Sequence, residues 1–331
     1  MEPDGPIASG SLASGPHPTI GPHTVTMPRW PGPVLMVGGA LLAIGALLAG
    51  SLALSGQLEM DRSILAPLAL FGALAFVGGL VYTAIRQIRV RSYLPPERYR
   101  GPSVLILLAL VLVVASLANA PFGADAAALL LGDGELTLLG ATVILVSTAF
   151  ALLLVSWLFV HRPRALAGLA SLPGADPAGA LRSGFGWGLL AWLGSTIVIV
   201  VVAWLLERVG LSPQPETAER AIALLDPWLV VLAVVILAPI AEEVFFRGVV
   251  FNAWLREGGR RWAFIGSAAL FAVIHLSLVS LLPIFGLGLA LAWVYQRTGN
   301  LLAPIAMHAT VNGISVALAL LIRFDVVRLP V

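Results

Sequence analysis

Two adjacent glutamates, Glu242 and Glu243, end a run of apolar sequence in which the fifteen residues from Pro227 to Ala241 carry no charge. Arg247 follows Glu243 by four residues, the spacing that brings an acid and a base together on one helix face. Glu242 is rotated about 100° away from Glu243 at 3.6 residues per turn. We therefore expect Glu243 and Arg247 to form a structural ion pair, which leaves the Glu242 carboxylate to act as a general base. The alternative is that both glutamates lie at a membrane interface, capped by arginines.

Further polar side chains occur in two later apolar stretches. Phe271 and His275 are four residues apart in FAVIH, and His308 and Asn312 are four apart in HATVN. Each pair therefore lies on one face of a helix. A carboxylate and an imidazole can together deprotonate a water, while a second imidazole and an amide can donate hydrogen bonds to an oxyanion. The set of side chains indicates hydrolytic chemistry that needs no serine, cysteine or lysine.

The same side chains could instead bind a metal ion. Catalytic zinc sites usually have three protein ligands, and Glu242, His275 and His308 would supply them, although the sequence contains no HExxH motif. With Glu243 paired to Arg247, that arrangement leaves no residue to act as the base. We therefore favour catalysis without a cofactor, with Zn²⁺ as the alternative.

The composition is that of a membrane protein. The chain is 59% hydrophobic and 11% charged, whereas a soluble domain carries about 25% charged residues. It contains no cysteine, which excludes disulfides and thiol nucleophiles, and its 19 basic residues are all arginine. Those arginines lie in short loops between apolar runs, which is typical of membrane orientation and not of a phosphate-binding surface. The expected partners are the lipid bilayer and a protein or peptide substrate, and no nucleic acid.

Long apolar runs predict an all-α bundle of transmembrane helices, because about 20 residues are needed to cross the hydrocarbon core. Residues 262–296 are too long for one span, and Pro283 disfavours a continuous helix there, so we divide them into two short spans. The chain then has nine spans, or eight if 262–296 is a single tilted span. The other predicted spans are residues 33–56, 63–85, 101–124, 136–160, 183–206, 227–247 and 301–322.

The distribution of arginines predicts the orientation. Loops 86–102 and 161–184 and the segment 247–261 are rich in arginine, and the loops between them are acidic or poor in arginine. The arginine-rich segments are expected on the cytoplasmic side of a multi-pass plasma-membrane protein, together with the N-terminus. Nine spans would place the C-terminus outside, and eight would place it in the cytoplasm.

The chain is predicted to have three regions. Residues 1–30 are rich in proline, glycine and serine and are expected to form a disordered cytoplasmic tail with no cleavable signal peptide. Residues 31–165 form an N-terminal four-helix region. All of the unusual polar residues fall in the C-terminal region, residues 183–322.

Taken together, the three polar motifs resemble those of the CPBP (also called Abi) family of intramembrane CAAX prenyl proteases and bacteriocin-processing proteases. The motifs are EExxxR, FxxxH and HxxxN, and they are matched in order by Glu242, Glu243 and Arg247, by Phe271 and His275, and by His308 and Asn312. The resemblance covers about residues 183–322. It does not by itself imply prenylated substrates.

The resemblance implies an all-helical membrane endopeptidase with a cavity open to the cytosol, and we expect it to act on membrane-associated or prenylated-type protein substrates. It implies that Glu242 and His275 activate water. It also implies that His308 and Asn312 form the oxyanion hole. The family is often described as metalloproteases, but this glutamate mechanism needs no metal. The remaining motif residues, Glu243, Arg247 and Phe271, would support the site.

Two other functions use similar residues. A transporter or proton relay also carries buried Glu and His, but the inverted repeats and broken helices expected of one are not evident in the sequence. A non-catalytic immunity or scaffold protein of the same fold would tolerate a broken motif, and none of the seven motif positions is broken.

Overall fold

A computed structural model describes most of the chain outside its N-terminal tail and several loops. The described residues are 27–54, 64–123, 125, 137–166, 176–210, 222, 225–275, 277 and 279–327. The predicted disordered tail, residues 1–30, therefore lies outside the described residues except for its last four.

All regular structure in these ranges is helical, which confirms the predicted all-α class. Seven of the described helices are long and apolar enough to cross a membrane, and α7 falls just outside that group. The helices are α1 (Pro31–Leu54), α2 (Leu65–Arg91), α3 (Val104–Asn119), α4 (Leu138–Ser156), α5 (Pro177–Arg208), α6 (Pro227–Val273), α7 (Leu281–Thr298) and α8 (Leu302–Arg323).

Helix α6 changes direction at Gly259, whose φ of 81° and ψ of −178° are accessible only to glycine without strain. The bend divides α6 into a first arm, residues 227–258, and a second arm, residues 260–273. Counted separately, the two arms bring the described helical segments to nine. The first arm also continues beyond the predicted span 227–247, and it ends at Gly258, next to the bend.

The predicted division of residues 262–296 into two helices is confirmed, although the break lies earlier than Pro283. The second arm of α6 ends at Val273, and α7 begins at Leu281. Pro283 lies in the first turn of α7, where a proline is tolerated because the N–H groups of that turn have no partner within the helix.

The first arm of α6 is unusually wide in two places. Residues Val231–Leu237 and Val244–Phe251 are π-helical, with hydrogen bonds from residue i+5 to residue i. Between them lies a short α-helical stretch, Ala238–Glu243, that contains Pro239 and both glutamates. Single wide turns of this kind are frequent at functional sites.

Close packing between α5 and α8 fixes the helix that carries His308. A Cβ atom added at Gly184 would lie 2.3 Å from the carbonyl oxygen of Ala303, and one added at Gly188 would lie 2.6 Å from Thr310 Cβ. Because the contact at Gly184 is with backbone, it cannot be relieved by a change of rotamer. The two glycines therefore set the distance between α5 and α8.

Described parts of the three arginine-rich segments contact one another at one end of the bundle. Arg91 forms an ion pair of 2.8 Å with Glu257, at the end of the first arm of α6, and the Arg100 N–H donates to Ala165 O at 2.9 Å. Arg91 also lies over the ring of Tyr99, and burial raises the pKa of that phenol. The predicted alternation of loops requires these segments to lie at the same end. That this end faces the cytoplasm stays a prediction.

The end of α8 lies at the opposite end of the bundle. Arg323 Nη1 donates to the carbonyl oxygens of Ile222 and Leu225 at 2.8 and 2.6 Å, immediately before α6 begins. The first arm of α6, which rises about 45 Å at 1.5 Å per residue, separates this point from Glu257. The end of α8 and the arginine-rich segments therefore lie at opposite ends of this arm, and the number of spans, eight or nine, stays a prediction.

Replacing Gly184 by alanine should destabilise the protein by roughly 1–3 kcal/mol, because the added methyl group overpacks the contact with Ala303 O. Gly186→Ala is the matched control on the same helix, since a Cβ there meets nothing within 4 Å. The control should leave the melting temperature unchanged or slightly raised. Thermal unfolding in one detergent compares the two variants, and equal melting temperatures would contradict the packing argument.

Candidate active site

Glu243 and Arg247 form a fully buried ion pair in the first arm of α6. Arg247 Nη1 donates to Glu243 Oε1 at 3.0 Å, and both side chains are 0% exposed. Arg247 Nη2 donates to the Gly288 carbonyl oxygen of α7 at 2.9 Å. The predicted structural pair is therefore confirmed, and it also joins α6 to α7.

His308 binds the same carboxylate oxygen from α8. Its Nδ1 lies 2.9 Å from Glu243 Oε1, and the imidazole is buried. A carboxylate that is paired with an arginine accepts hydrogen bonds, so we assign the hydrogen to Nδ1. In the neutral ring Nε2 then carries no hydrogen and accepts. Sequence reasoning missed this contact, because nothing local marks a partner 65 residues away.

Phe271 lies at the centre of the motif residues. The Arg247 guanidinium is 4.6 Å from the centre of its ring, and the rings of His275 and His308 lie 4.9 and 5.6 Å from it, each in an edge arrangement. A cation over a desolvated aromatic face contributes about 2 kcal/mol. One aromatic ring thus contacts residues from all three motifs.

His275 lies just beyond the last residue of α6 and is exposed. Its Nδ1 is 2.7 Å from the carbonyl oxygen of Phe271, which confirms that the two residues share a face. Because a carbonyl oxygen can only accept, Nδ1 carries the hydrogen. The Nε2 of a neutral His275 is therefore a proton acceptor, as a general base requires.

Glu242 is only half-buried and takes no part in the Glu243 network. Its Oε2 atom is nevertheless buried and receives no hydrogen bond from the described residues, and the same holds for Glu243 Oε2. No hydrogen bond joins Glu242 to His275 among those residues either. The structure thus separates the two glutamates by environment, as the helical spacing predicts.

Asn312 also faces the first arm of α6, one turn along α8 from His308. Its Nδ2 donates to the carbonyl oxygen of Val234 at 2.9 Å. The two HxxxN residues therefore contact the first arm of α6 at different positions. His308 contacts Glu243, and Asn312 contacts Val234, about two turns earlier on that arm. One hydrogen of the Asn312 amide is used by this bond, and the second is available to another acceptor.

The alternative zinc set does not fit this arrangement. Within the ranges that the structure covers, no three His, Asp or Glu side chains lie close enough together to hold a metal ion. Glu242, His275 and His308 all belong to those ranges, and they are not gathered around one point. We therefore derive no step through a metal.

An apolar pocket of about 340 Å³ is lined in part by residues that lie two to six positions before His275. It is formed between the second arm of α6 and α7, on either side of the break that contains the histidine. No charged side chain lines it, so it suits an apolar group. The lining residues are Ala269, Ala272, Val273, Leu281, Leu282 and Phe285.

Comparison with known proteins finds similarity in the C-terminal region. Residues 224–314 match the family model of the type II CAAX prenyl endopeptidase Rce1-like proteins, and this stretch contains all seven motif residues. Residues 224–314 are thus similar to this family, which supports the resemblance that the motifs indicated.

Two curated bacterial proteins are similar to this chain. The putative membrane peptidase YdiL of Bacillus subtilis (strain 168) is 30% identical over 113 residues, which are 34% of this chain and 46% of that protein. The membrane-embedded CAAX protease MroQ of Staphylococcus aureus (strain USA300) is 30% identical over 143 residues, 41% of this chain and 58% of that protein. The chain thus spans about half the length of the curated relatives it matches. No solved structure matches it.

Replacing Glu243 by glutamine should cost about 3–5 kcal/mol of stability, because it leaves Arg247 as an uncompensated buried charge. Glu257→Gln is the matched control on the same helix, since Glu257 is also paired with an arginine but is 34% exposed. Loss of that pair should cost about 0–1 kcal/mol. Thermal unfolding compares the two, and a Glu243→Gln variant as stable as the control would contradict the buried network.

Proposed function

We propose that this protein is an intramembrane endopeptidase that hydrolyses peptide bonds in membrane-associated proteins. The observation that carries the proposal is the convergence of the three motifs: Glu243 binds Arg247 and His308, while Phe271 contacts His275. A network with that many buried polar groups in a membrane helix is costly and tends to be functional. The family match supports the same conclusion.

In this proposal, Glu242 and His275 hold and deprotonate the attacking water. Glu242 Oε2 is a buried acceptor that receives no hydrogen bond from the described residues, so a water hydrogen is a suitable partner for it. His275 offers a second acceptor at Nε2, because its Nδ1 hydrogen is directed to the carbonyl oxygen of Phe271. The water oxygen then attacks the scissile carbonyl, and the proton taken by Glu242 passes to the leaving amine.

His308 and Asn312 stabilise the negative charge that develops on the scissile carbonyl oxygen. His308 can donate from Nε2 only when both ring nitrogens carry hydrogen, since Nδ1 donates to Glu243. Asn312 contributes the amide hydrogen that Val234 does not use. Preorganised donors of this kind account for a large part of the catalysis of acyl transfer.

The substrate class that we propose is a membrane-anchored protein with a CAAX-type C-terminus. Support comes from the name of the matching family and from the name of the Staphylococcus relative. The apolar pocket between the second arm of α6 and α7 adds a physical argument, because it would accept an apolar group such as a lipid chain.

Replacing Glu242 by glutamine should lower the rate of peptide cleavage by roughly 10²–10⁴-fold, because an amide cannot accept a proton from water. The assay uses the full chain in liposomes with a farnesylated CAAX peptide that carries a fluorophore and a quencher on either side of the expected cleavage site. An unfarnesylated peptide of the same sequence tests whether the lipid is recognised. Glu257→Gln, which lies far from the site, should cleave at the rate of the wild type.

Two results of this assay would count against the proposal. Cleavage by Glu242→Gln at the rate of the wild type would remove the general-base role. No cleavage of either peptide by a folded wild-type protein would remove the CAAX-type substrate class.

Chelators should not inhibit the reaction, because the candidate residues do not gather into a metal site. Cleavage of the same peptide is measured before and after dialysis against a strong zinc chelator. Loss of activity that one equivalent of Zn²⁺ restores would reverse this proposal and make the two histidines candidate ligands.

A further inference from the structure

Pro239 interrupts the hydrogen bonding of the first arm of α6. In the π-helical stretch before it, each N–H donates to the carbonyl oxygen five residues earlier, and the last such bond runs from Ala238 N to Ala233 O. The next donor in the series would be residue 239, and its acceptor would be Val234 O. Proline has no N–H, so this bond cannot form.

Asn312 contributes the missing donor from another helix. Its Nδ2 lies 2.9 Å from Val234 O, although the two residues are 78 positions apart. A carbonyl oxygen inside a membrane has no bulk water to bind, and leaving it without a partner costs several kcal/mol on transfer. The side-chain amide of Asn312 therefore occupies the place of the backbone N–H that Pro239 lacks.

We propose that Asn312 is a positioning residue, in addition to any hydrogen bond it donates to substrate, and that Pro239 is the reason it is needed. Glu242 lies three residues after Pro239, within the same short α-helical stretch. Fixing the backbone at Val234 fixes the height and rotation of that stretch relative to α8. The catalytic part of this inference rests on the proposed function, whereas its structural part does not.

Two hydrogen bonds then hold α8 to the first arm of α6, one on each side of Pro239. Asn312 binds Val234 before the proline, and His308 binds Glu243 after it. A single bond would allow α8 to pivot on the wide helix, whereas two bonds define both its height and its rotation. The distance from the Glu242 carboxylate to His308 is therefore set by this pair of bonds.

Replacing Pro239 by alanine separates this inference from a purely catalytic role for Asn312. Alanine restores an N–H that can donate to Val234 O, so the backbone no longer needs the Asn312 amide. If Asn312 serves only as an oxyanion donor, Asn312→Ala should have the same effect whether or not Pro239 is present. The two possibilities differ in whether the two substitutions are additive.

The first measurement is thermal unfolding of the wild type, Asn312→Ala, Pro239→Ala and the double variant in one detergent. We expect Asn312→Ala to lower the melting temperature by several degrees in the native background and by roughly half of that or less beside Pro239→Ala. Additive shifts would overturn the inference. If Asn312→Ala does not fold alone, recovery of folded protein in the double variant supports the inference, and failure to recover overturns it.

Asn252→Ala is the matched control for this cycle. The Asn252 amide also donates to carbonyl oxygens of the first arm, those of Arg247 and Gly248, but no proline lies between them and Asn252. Its effect on the melting temperature should therefore be the same with or without Pro239→Ala. Coupling of the control to Pro239→Ala as large as that of Asn312→Ala would show a general loosening of the helix, and would overturn the inference.

The second measurement is kcat and KM for the farnesylated CAAX peptide in liposomes. Positioning predicts that Asn312→Ala lowers kcat with little change in KM, and that adding Pro239→Ala restores part of the lost kcat. No recovery of kcat would overturn the catalytic part of the inference. If the folded wild type cleaves no peptide, the proposed function fails, and the melting temperatures still decide the structural part.

Discussion

The whole site depends on placing one carboxylate, Glu243, in a position without solvent. A buried charge of this kind is tolerated only when its neighbours neutralise it and donate hydrogen bonds to it. Arg247 supplies the opposite charge, and His308 supplies a second donor. Because both donors bind the same oxygen atom, the positions of α6 and α8 are determined by one group, and Arg247 extends the same constraint to α7 through Gly288.

The width of α6 makes this network possible. A π-helical turn leaves carbonyl groups out of register with the donors of the next turn, and the first arm has two such stretches. Their acceptors are met by side chains: Asn312 binds Val234 O, and Asn252 binds Arg247 O and Gly248 O. Of these acceptors, Val234 O is the one whose backbone donor is absent because of Pro239, so Asn312 is among the residues that shape the site.

The sequence predicted the features that depend on spacing within one helix. The pairing of Glu243 with Arg247 and the contact between Phe271 and His275 follow from residues four apart, and both are present. The all-helical class followed from long apolar runs. The break between α6 and α7 was predicted but was assigned to Pro283, because apolar composition alone does not distinguish the first turn of a helix from its interior.

Contacts between helices could not be predicted in the same way. The bond between Glu243 and His308 depends on how α5 and α8 approach each other through Gly184, a packing that no local pattern encodes. For the bond from Asn312 to Val234, the sequence contains one indication. A proline inside a membrane helix leaves one backbone carbonyl oxygen without its usual N–H donor, so another group must donate to that oxygen. The sequence does not indicate which side chain provides it.

The bend at Gly259 has a consequence for the lipid around the protein. The second arm, residues 260–273, rises only about 20 Å, less than the roughly 30 Å thickness of a hydrocarbon core. Irregular backbone at membrane depth requires either protein cover or water, and the exposed His275 stands where this arm stops. A span this short would require the bilayer to become thinner or to admit water on that flank, next to His275.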